Sequence, residues 1–317
     1  MRIVFFGTPP FADASLKQLV LSRHSVAGVI TQPDRPKGRS KKPVPSPVKE
    51  TAGSSRIPIL QPTDLKETAL LNKLGFWKAE LAVVVAYGRL LPQGLIQCFP
   101  RGAINLHASL LPKYRGAAPI QWALIRGETQ TGVTVFQIDE RLDHGPILLQ
   151  TPHPIQPEDT AVTLIESLSL LGATMLIKVL HLLESGSLRP KPQEDSLASE
   201  APRLTKEAGI INWRDHCREI HNRVRGVQPW PGAVTTLRGE PVKIFSTTPD
   251  PSRHDRTVPA GTVTLSDPIQ GLWIQTGQGQ LRIDRLQSAG GTVLETAAFL
   301  RGHPVSPGTV LTSFSSV

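Results

Sequence analysis

An open, mostly parallel α/β sheet of Rossmann-like topology followed by a small β-barrel is the fold class predicted for this 317-residue chain. Three observations carry it. The N-terminal half alternates short apolar runs with stretches of helical spacing, the pattern of strands joined by crossover helices. A long helical pattern at residues 159–184 closes that half. Beyond a proline-rich polar stretch, short apolar segments punctuated by glycine and proline run to the C-terminus, as in a barrel of about 100 residues.

The first run, RIVFFG at residues 2–7, is apolar and ends in glycine, as a parallel strand covered on both faces does. Further strands are predicted at 25–31, 57–60, 81–88, 103–108 and 132–138, with an antiparallel one at 147–155. Between them Phe11–Leu21, Asp64–Leu74 and Ala117–Arg126 carry helical spacing. Leu164, Leu168, Leu171, Met175, Ile177 and Leu182 recur near every third or fourth position and form the expected core stripe of the long helix. Residues 189–206, rich in proline and charge, read as a linker, and a helix follows at 215–225. The expected division is a first domain at 1–188, the linker, and a second domain at 207–317.

Hydrophobic residues make up 39% and charged residues 19%, a globular balance that excludes fibrous and disordered classes. No uninterrupted apolar run approaches the ~20 residues of a membrane span, and the chain opens on a strand pattern instead of a basic then apolar leader. A soluble, cytoplasmic protein without membrane association is therefore expected. Nothing in the pattern demands a partner for burial, which favours a monomer. Two cysteines are too few for a disulfide framework or a four-cysteine zinc site. Among His216, Cys217 and His221 the two histidines are five apart, not the i, i+4 of a helical zinc pair, so no metal is expected.

The formal charge of +9 is unevenly spread: residues 32–49 hold six basic side chains against Asp34 alone, more than half of the excess. Like charges at this density, spaced by five prolines, repel one another and order best against phosphate. A loop after the second strand overhangs the crevice at the carboxyl end of an α/β sheet, where such sheets bind ligands. Arg214, Arg223 and Arg225 are further candidates for phosphate contacts or for salt bridges within their helix.

The first turn, Gly7-Thr8-Pro9-Pro10, lacks the spaced glycines of a dinucleotide site, which disfavours a nicotinamide cofactor. The chemistry concentrates at 105–121. Asn105 and His107 are two apart on a strand, so both side chains share one face at its carboxyl end. An amide donor beside an imidazole can stabilise a developing oxyanion and handle a proton. The acid-rich loop Asp139–Gly145 can bring a carboxylate to His107 and fix its orientation. His144 is a second imidazole there, and strand alternation favours His107.

These residues resemble the folate-dependent formyltransferases. The resemblance rests on Asn105-Leu-His107-Ala-Ser109-Leu-Leu-Pro112 with Asp143, and extends through Phe5–Pro9, Thr31–Pro36, Pro45–Lys49, Ala86–Gly88, Tyr114–Gln121 and Pro229–Pro231. Pro10 departs from it, standing where the family usually carries Asp. The resemblance implies the family's formyltransferase fold with a C-terminal barrel of oligonucleotide-binding (OB) type. It implies 10-formyltetrahydrofolate as formyl donor and the free amino group of methionine on initiator tRNA as acceptor. Catalysis falls to Asn105, His107 and Asp143, with no covalent enzyme intermediate. Ser109, Leu110, Leu111 and Pro112 form the expected folate turn, with an unusual backbone at Leu111-Pro112. Tyr87, Gly88, Arg89 and Leu91 are expected to help enclose the pterin. Arg35, Lys37, Arg39, Lys41 and Lys42 are the expected tRNA contacts. Competing readings are a formyltransferase or formyl hydrolase acting on a sugar or nucleotide amine, and a non-catalytic RNA-binding relative. The first lack the basic loop or the second domain, and the last has no use for an intact trio.

Overall fold

In the computed structural model, which describes residues 1–36 and 42–314, the apolar runs of the N-terminal half become strands of one sheet. β1 (Arg2–Gly7) leads through α1 (Pro10–Leu21) to β2 (Ser25–Ile30). β3 (Arg35–Pro36) and β4 (Pro43–Val44) pair antiparallel ahead of α2 (Pro47–Ser54), β5 (Ile59–Leu60) and α3 (Thr68–Trp77). Then come β6 (Leu81–Val85), α4 (Gln93–Ile96), β7 (Ala103–His107), α5 (Pro119–Ile125), β8 (Gln130–Gln137), β9 (Ile147–Pro154) and α6 (Ala161–Glu184).

The strand order is β5-β2-β1-β6-β7-β8-β9, parallel from β5 to β7 and antiparallel at β8 and β9. The chain builds outward from β1 to β5 and then returns to the other side of β1. The switch point therefore lies between β1 and β6, and the carboxyl ends of β1, β6 and β7 line the crevice there. Every residue of β6 is buried, as a strand covered on both faces requires. Val4, Phe6, Ala82 and Val84 form one face with Leu70, Leu74 and Phe99.

Two compact units are present: Met1–Pro119 with Gln130–Pro154 and Ile165–Pro202, and Ile120–Thr129 with Ile155–Leu164 and Arg203–Val317. No single cut in the sequence separates them, which departs from the expected boundary at residue 188. Most of the expected linker also belongs to the first unit. Lys191 exchanges backbone hydrogen bonds with Ile147, and the Ala201 amide donates to the Arg115 carbonyl at 2.7 Å. A polar, proline-broken segment cannot pair with itself, so its amides find partners on loops that only the fold brings near.

Of the core stripe on α6, Leu164, Leu168 and Met175 are buried, while Leu171, Ile177 and Leu182 are half-buried. By length and composition α6 is also apolar enough to cross a membrane, although polar residues interrupt its apolar run.

The second unit contains α7 (Cys217–Gly226), β10 (Ala233–Leu237), β11 (Glu240–Asp250), β12 (Val263–Asp267), β13 (Gly271–Gln275), β14 (Gln280–Ser288), β15 (Leu294–Glu295), α8 (Thr296–Gly302) and β16 (Leu311–Ser313). The antiparallel order is β12-β13-β14-β11-β10-β16, and a bridge between Thr262 and Val310 draws the two edges together. Val242, Ile244, Leu272, Ile274, Leu281 and Ile283 alternate inward around Trp213 and Phe299. The barrel expected from the short strands is thus present, of the OB-like kind that the resemblance implies.

Candidate active site

β7 presents Asn105 half-buried and His107 buried at its carboxyl end, in register with Phe136 and Thr134 of β8. The His107 ring is held by main chain: its Nε2 lies 2.8 Å from the Tyr114 carbonyl oxygen. A carbonyl only accepts, so Nε2 carries the proton of this bond and Nδ1 is left for chemistry. Nδ1 faces the Asp143 carboxylate, with Oδ2 at 3.7 Å. That spacing suits a charge pair and is too long for a direct hydrogen bond.

Asp143 is itself held by main chain. Its Oδ2 accepts the Gly116 amide at 2.8 Å, and its backbone is left-handed, with φ 49°. Gly116 has φ 126°, and a Cβ there would sit 2.6 Å from the Ala201 carbonyl oxygen, so only glycine supplies this donor. At Gly145 a Cβ would fall 1.8 Å from the Gln137 carbonyl oxygen, which keeps the Asp143 loop pressed onto the end of β8. The neighbouring His144 is engaged elsewhere: Nδ1 lies 2.6 Å from Asp139 and Nε2 touches Arg141.

The 109–112 turn is organised by two side chains that sequence reading missed. The buried Thr134 hydroxyl donates to the Ser109 carbonyl at 2.6 Å and accepts the Leu111 amide at 3.1 Å. Gln150 Nε2 donates to the Leu111 carbonyl at 2.7 Å and to Thr134 Oγ1 at 3.0 Å. The Ser109 hydroxyl is spent inside the turn on the Lys113 carbonyl. Leu111 is buried, Leu110 and Pro112 are half-buried, and Leu111-Pro112 is cis, the unusual backbone anticipated there. A threonine on the neighbouring antiparallel strand gives no local signal of this duty. Only the β7–β8 register reveals it.

At the end of β6 the Tyr87 ring points into the core, edge-on to Phe6 at 5.5 Å, and its hydroxyl has no partner. Burial pushes that phenol's pKa up. The flanking Ala86 and Gly88 are exposed and have positive φ, so what they offer the crevice is backbone. Arg89 donates to the Pro62 and Thr63 carbonyls, while Leu91 packs against the core.

Of the expected tRNA contacts, Arg35 and Lys42 are exposed, on and beside the β3–β4 pair. Lys37, Arg39 and Lys41 lie outside the described residues. The base of the loop is tied down: Lys49 Nζ and Gln61 Nε2 bond the Asp34 carboxylate at 2.6 and 2.7 Å and hold its pKa below the usual range.

In the second unit, two of the arginines weighed as phosphate contacts or as salt-bridge partners are spent internally. Arg225 donates to the Gln156 and Asp159 carbonyls, and Arg223 donates to the Ala208 carbonyl. A helix that must dock on loops uses its long cations for orphaned carbonyls before solvent reaches them. Arg214 is exposed. His216 caps α7 by accepting the Arg218 amide, Cys217 is buried, and His221 bonds Thr247. A cleft of about 680 Å³ is bordered by Arg218, His221, Arg225, Thr247 and Asp284. Most of these polar groups are already engaged, Asp284 with Thr248 and Arg282, and the cleft has no reactive constellation.

An amide, an imidazole and a carboxylate stand at the open end of the sheet, groups able to stabilise an oxyanion and to move a proton. Residues 1–180 match the formyl transferase family and residues 203–304 match the formyl transferase C-terminal domain. The chain belongs to the formyl transferase family. It is 45% identical to a methionyl-tRNA formyltransferase of Desulforamulus reducens, across 98% of each chain. It is 47% identical to one of Syntrophus aciditrophicus, across 98% of this chain and 99% of that one. In fold it is similar to an N-formyltransferase of Helicobacter canadensis solved with folinic acid and dTDP-3-aminofucose, with TM-score 0.67 and 18% identity over 89% of this chain and 98% of that one. It also resembles HypX of Aquifex aeolicus in complex with tetrahydrofolic acid, with TM-score 0.61 and 18% identity over 95% of this chain and 47% of that one.

Proposed function

We propose that this protein transfers the formyl group of 10-formyltetrahydrofolate to the free amino group of methionine on initiator tRNA, giving the formylated tRNA that starts translation. The observation that carries this reading is the His107–Asp143 pair at 3.7 Å beyond β7, in a chain 42–47% identical along nearly its whole length to proteins named methionyl-tRNA formyltransferase. A sugar or nucleotide amine as acceptor has only low-identity likeness of fold in its support.

The folate, when bound, supplies a formyl group already activated for attack. The chain has backbone to receive it: exposed positions at Ala86, Gly88 and Leu90, and the turn Ser109–Pro112 pinned by Thr134. Asn105 and His107, the latter in its imidazolium form with the second proton on Nδ1, donate to the formyl oxygen as negative charge grows there, a contribution of about 3 kcal/mol per donor. Tyr114 keeps the His107 ring from turning away, so its Nδ1 stays on the reacting side. Asp143 accepts the proton released by the attacking amine and returns it toward the departing folate nitrogen. Arg35, Lys37, Arg39, Lys41 and Lys42 meet phosphates of the acceptor stem, while the barrel holds tRNA backbone with little reading of sequence. The protein works as a cytoplasmic monomer, free of membrane.

The test is a formyl-transfer assay with methionyl-initiator and methionyl-elongator tRNA side by side. Rapid transfer to the initiator and poor transfer to the elongator are expected. Equal turnover removes initiator recognition from the reading, and transfer to neither tRNA removes tRNA as the acceptor.

A further inference from the structure

We propose that Gln193, in the segment after α6, is a positioning residue for Asp143, and that its side-chain amide locks the two backbone stretches of the active site in register. Its Nε2 donates to the carbonyls of both Asp143 and Gly145, each at 2.9 Å. Its Oε1 accepts from Arg115 Nε at 3.1 Å and from Arg115 Nη2 at 2.8 Å. Both donors and both acceptor positions of the amide are thereby used.

What it joins gives the amide its importance. Arg115 stands between the Tyr114 carbonyl, which holds His107, and the Gly116 amide, which holds Asp143. The same segment reinforces that turn, since Ser199 Oγ accepts the Tyr114 amide at 2.9 Å and its carbonyl accepts the Arg115 amide at 2.8 Å. Asp143 needs such support, because a non-glycine residue at φ 49° persists only where its surroundings hold it. Gln193 grips the Asp143 main chain while Gly116 grips its carboxylate. The spacing of the carboxylate from the His107 ring is set by this frame and not by a direct bond between them. Neither the Ser109–Pro112 turn nor the backbone at Ala86–Leu90 takes a hydrogen bond from Gln193. Loss of the amide leaves those surfaces in place and lets Asp143 wander, and a misplacement of about 1 Å can cost on the order of 10²-fold in rate.

The inference rests on the assignment of Asp143 to proton transfer, and a double-mutant cycle separates the two claims. Formyl transfer to methionyl-initiator tRNA is measured with the full chain, with Gln193→Ala, with Asp143→Asn, and with both changes together. Gln193→Ala is expected to lower kcat by about 10- to 100-fold with both KM values within about twofold. Introduced into Asp143→Asn it is expected to lower kcat no further. Gln193→Glu retains the volume and the acceptors for Arg115, so a chain too weak to fold as the alanine variant still reports the loss of the two donors. Losses that multiply in the double variant, or a rise in KM with kcat unchanged, overturn the role of Gln193. Near-normal turnover by Asp143→Asn instead overturns the assignment on which it rests.

Discussion

Each nitrogen of the His107 ring has its own neighbour, a carbonyl at 2.8 Å on one side and a carboxylate at 3.7 Å on the other. The ring therefore has a fixed orientation before any substrate arrives. We expect His107→Ala to cut kcat for formyl transfer by about 10²- to 10³-fold, the range for loss of one oxyanion donor. The KM for the folate stays within about twofold, because the Ser109–Pro112 turn takes its support from Thr134 and Gln150 and none from the ring. Steady-state kinetics against both substrates decides this, and near-normal turnover removes His107 from the mechanism. At this scale the pairing of Asn105 with His107 was legible, because alternation along a strand is a local rule. The carbonyl of Tyr114 and the amide of Gly116 were not. Any residue supplies those groups, so no side chain announces them.

At the scale of elements, β7 and β8 act as one device. Their register puts Thr134 opposite His107, and Thr134 in turn holds the turn that follows β7. The basic loop is anchored the same way, by Asp34 receiving Lys49 of α2 and Gln61 beyond β5. This anchor makes a prediction about pH. A carboxylate whose folded pKa is lowered stabilises the fold above its unfolded pKa, near 3.8, and that contribution fades as pH falls through the folded value. Asp34→Asn should therefore lower the melting temperature of the first unit near neutral pH, with the gap to the unsubstituted protein closing well below pH 3.8. A gap of constant size in melts across that range would show that the negative charge is not what anchors the loop. Apolar runs and helical spacing revealed most of these elements. They misread residues 189–202, whose order comes from pairing with Ile147 and the 114–116 turn.

Across the whole molecule, the basic excess is concentrated in one segment. More than half of the net +9 lies within residues 32–49, at whose base Lys49 pairs with Asp34. Replacing Arg35, Arg39, Lys41 and Lys42 with Ala should weaken tRNA binding and reduce the log–log salt slope by about one for each phosphate that the protein no longer neutralises. Filter binding over a salt series, beside folate titration, reads both effects. A change confined to folate affinity would mean that the loop serves the other substrate.

Sequence by itself determined the fold class, the strand bearing Asn105 and His107, the loop bearing Asp143 and the basic excess, because periodicity, spacing and charge are properties of neighbours along the chain. Tertiary structure alone decided which backbone groups hold the imidazole and the carboxylate, how Gln193 reaches Asp143, and that segments on opposite sides of a simple boundary belong to one unit. Apart from that of His107 with Tyr114, those are pairings between residues tens of positions apart. Hydrogen bonds of that kind depend on where the main chain passes, and main-chain atoms are the same at every position.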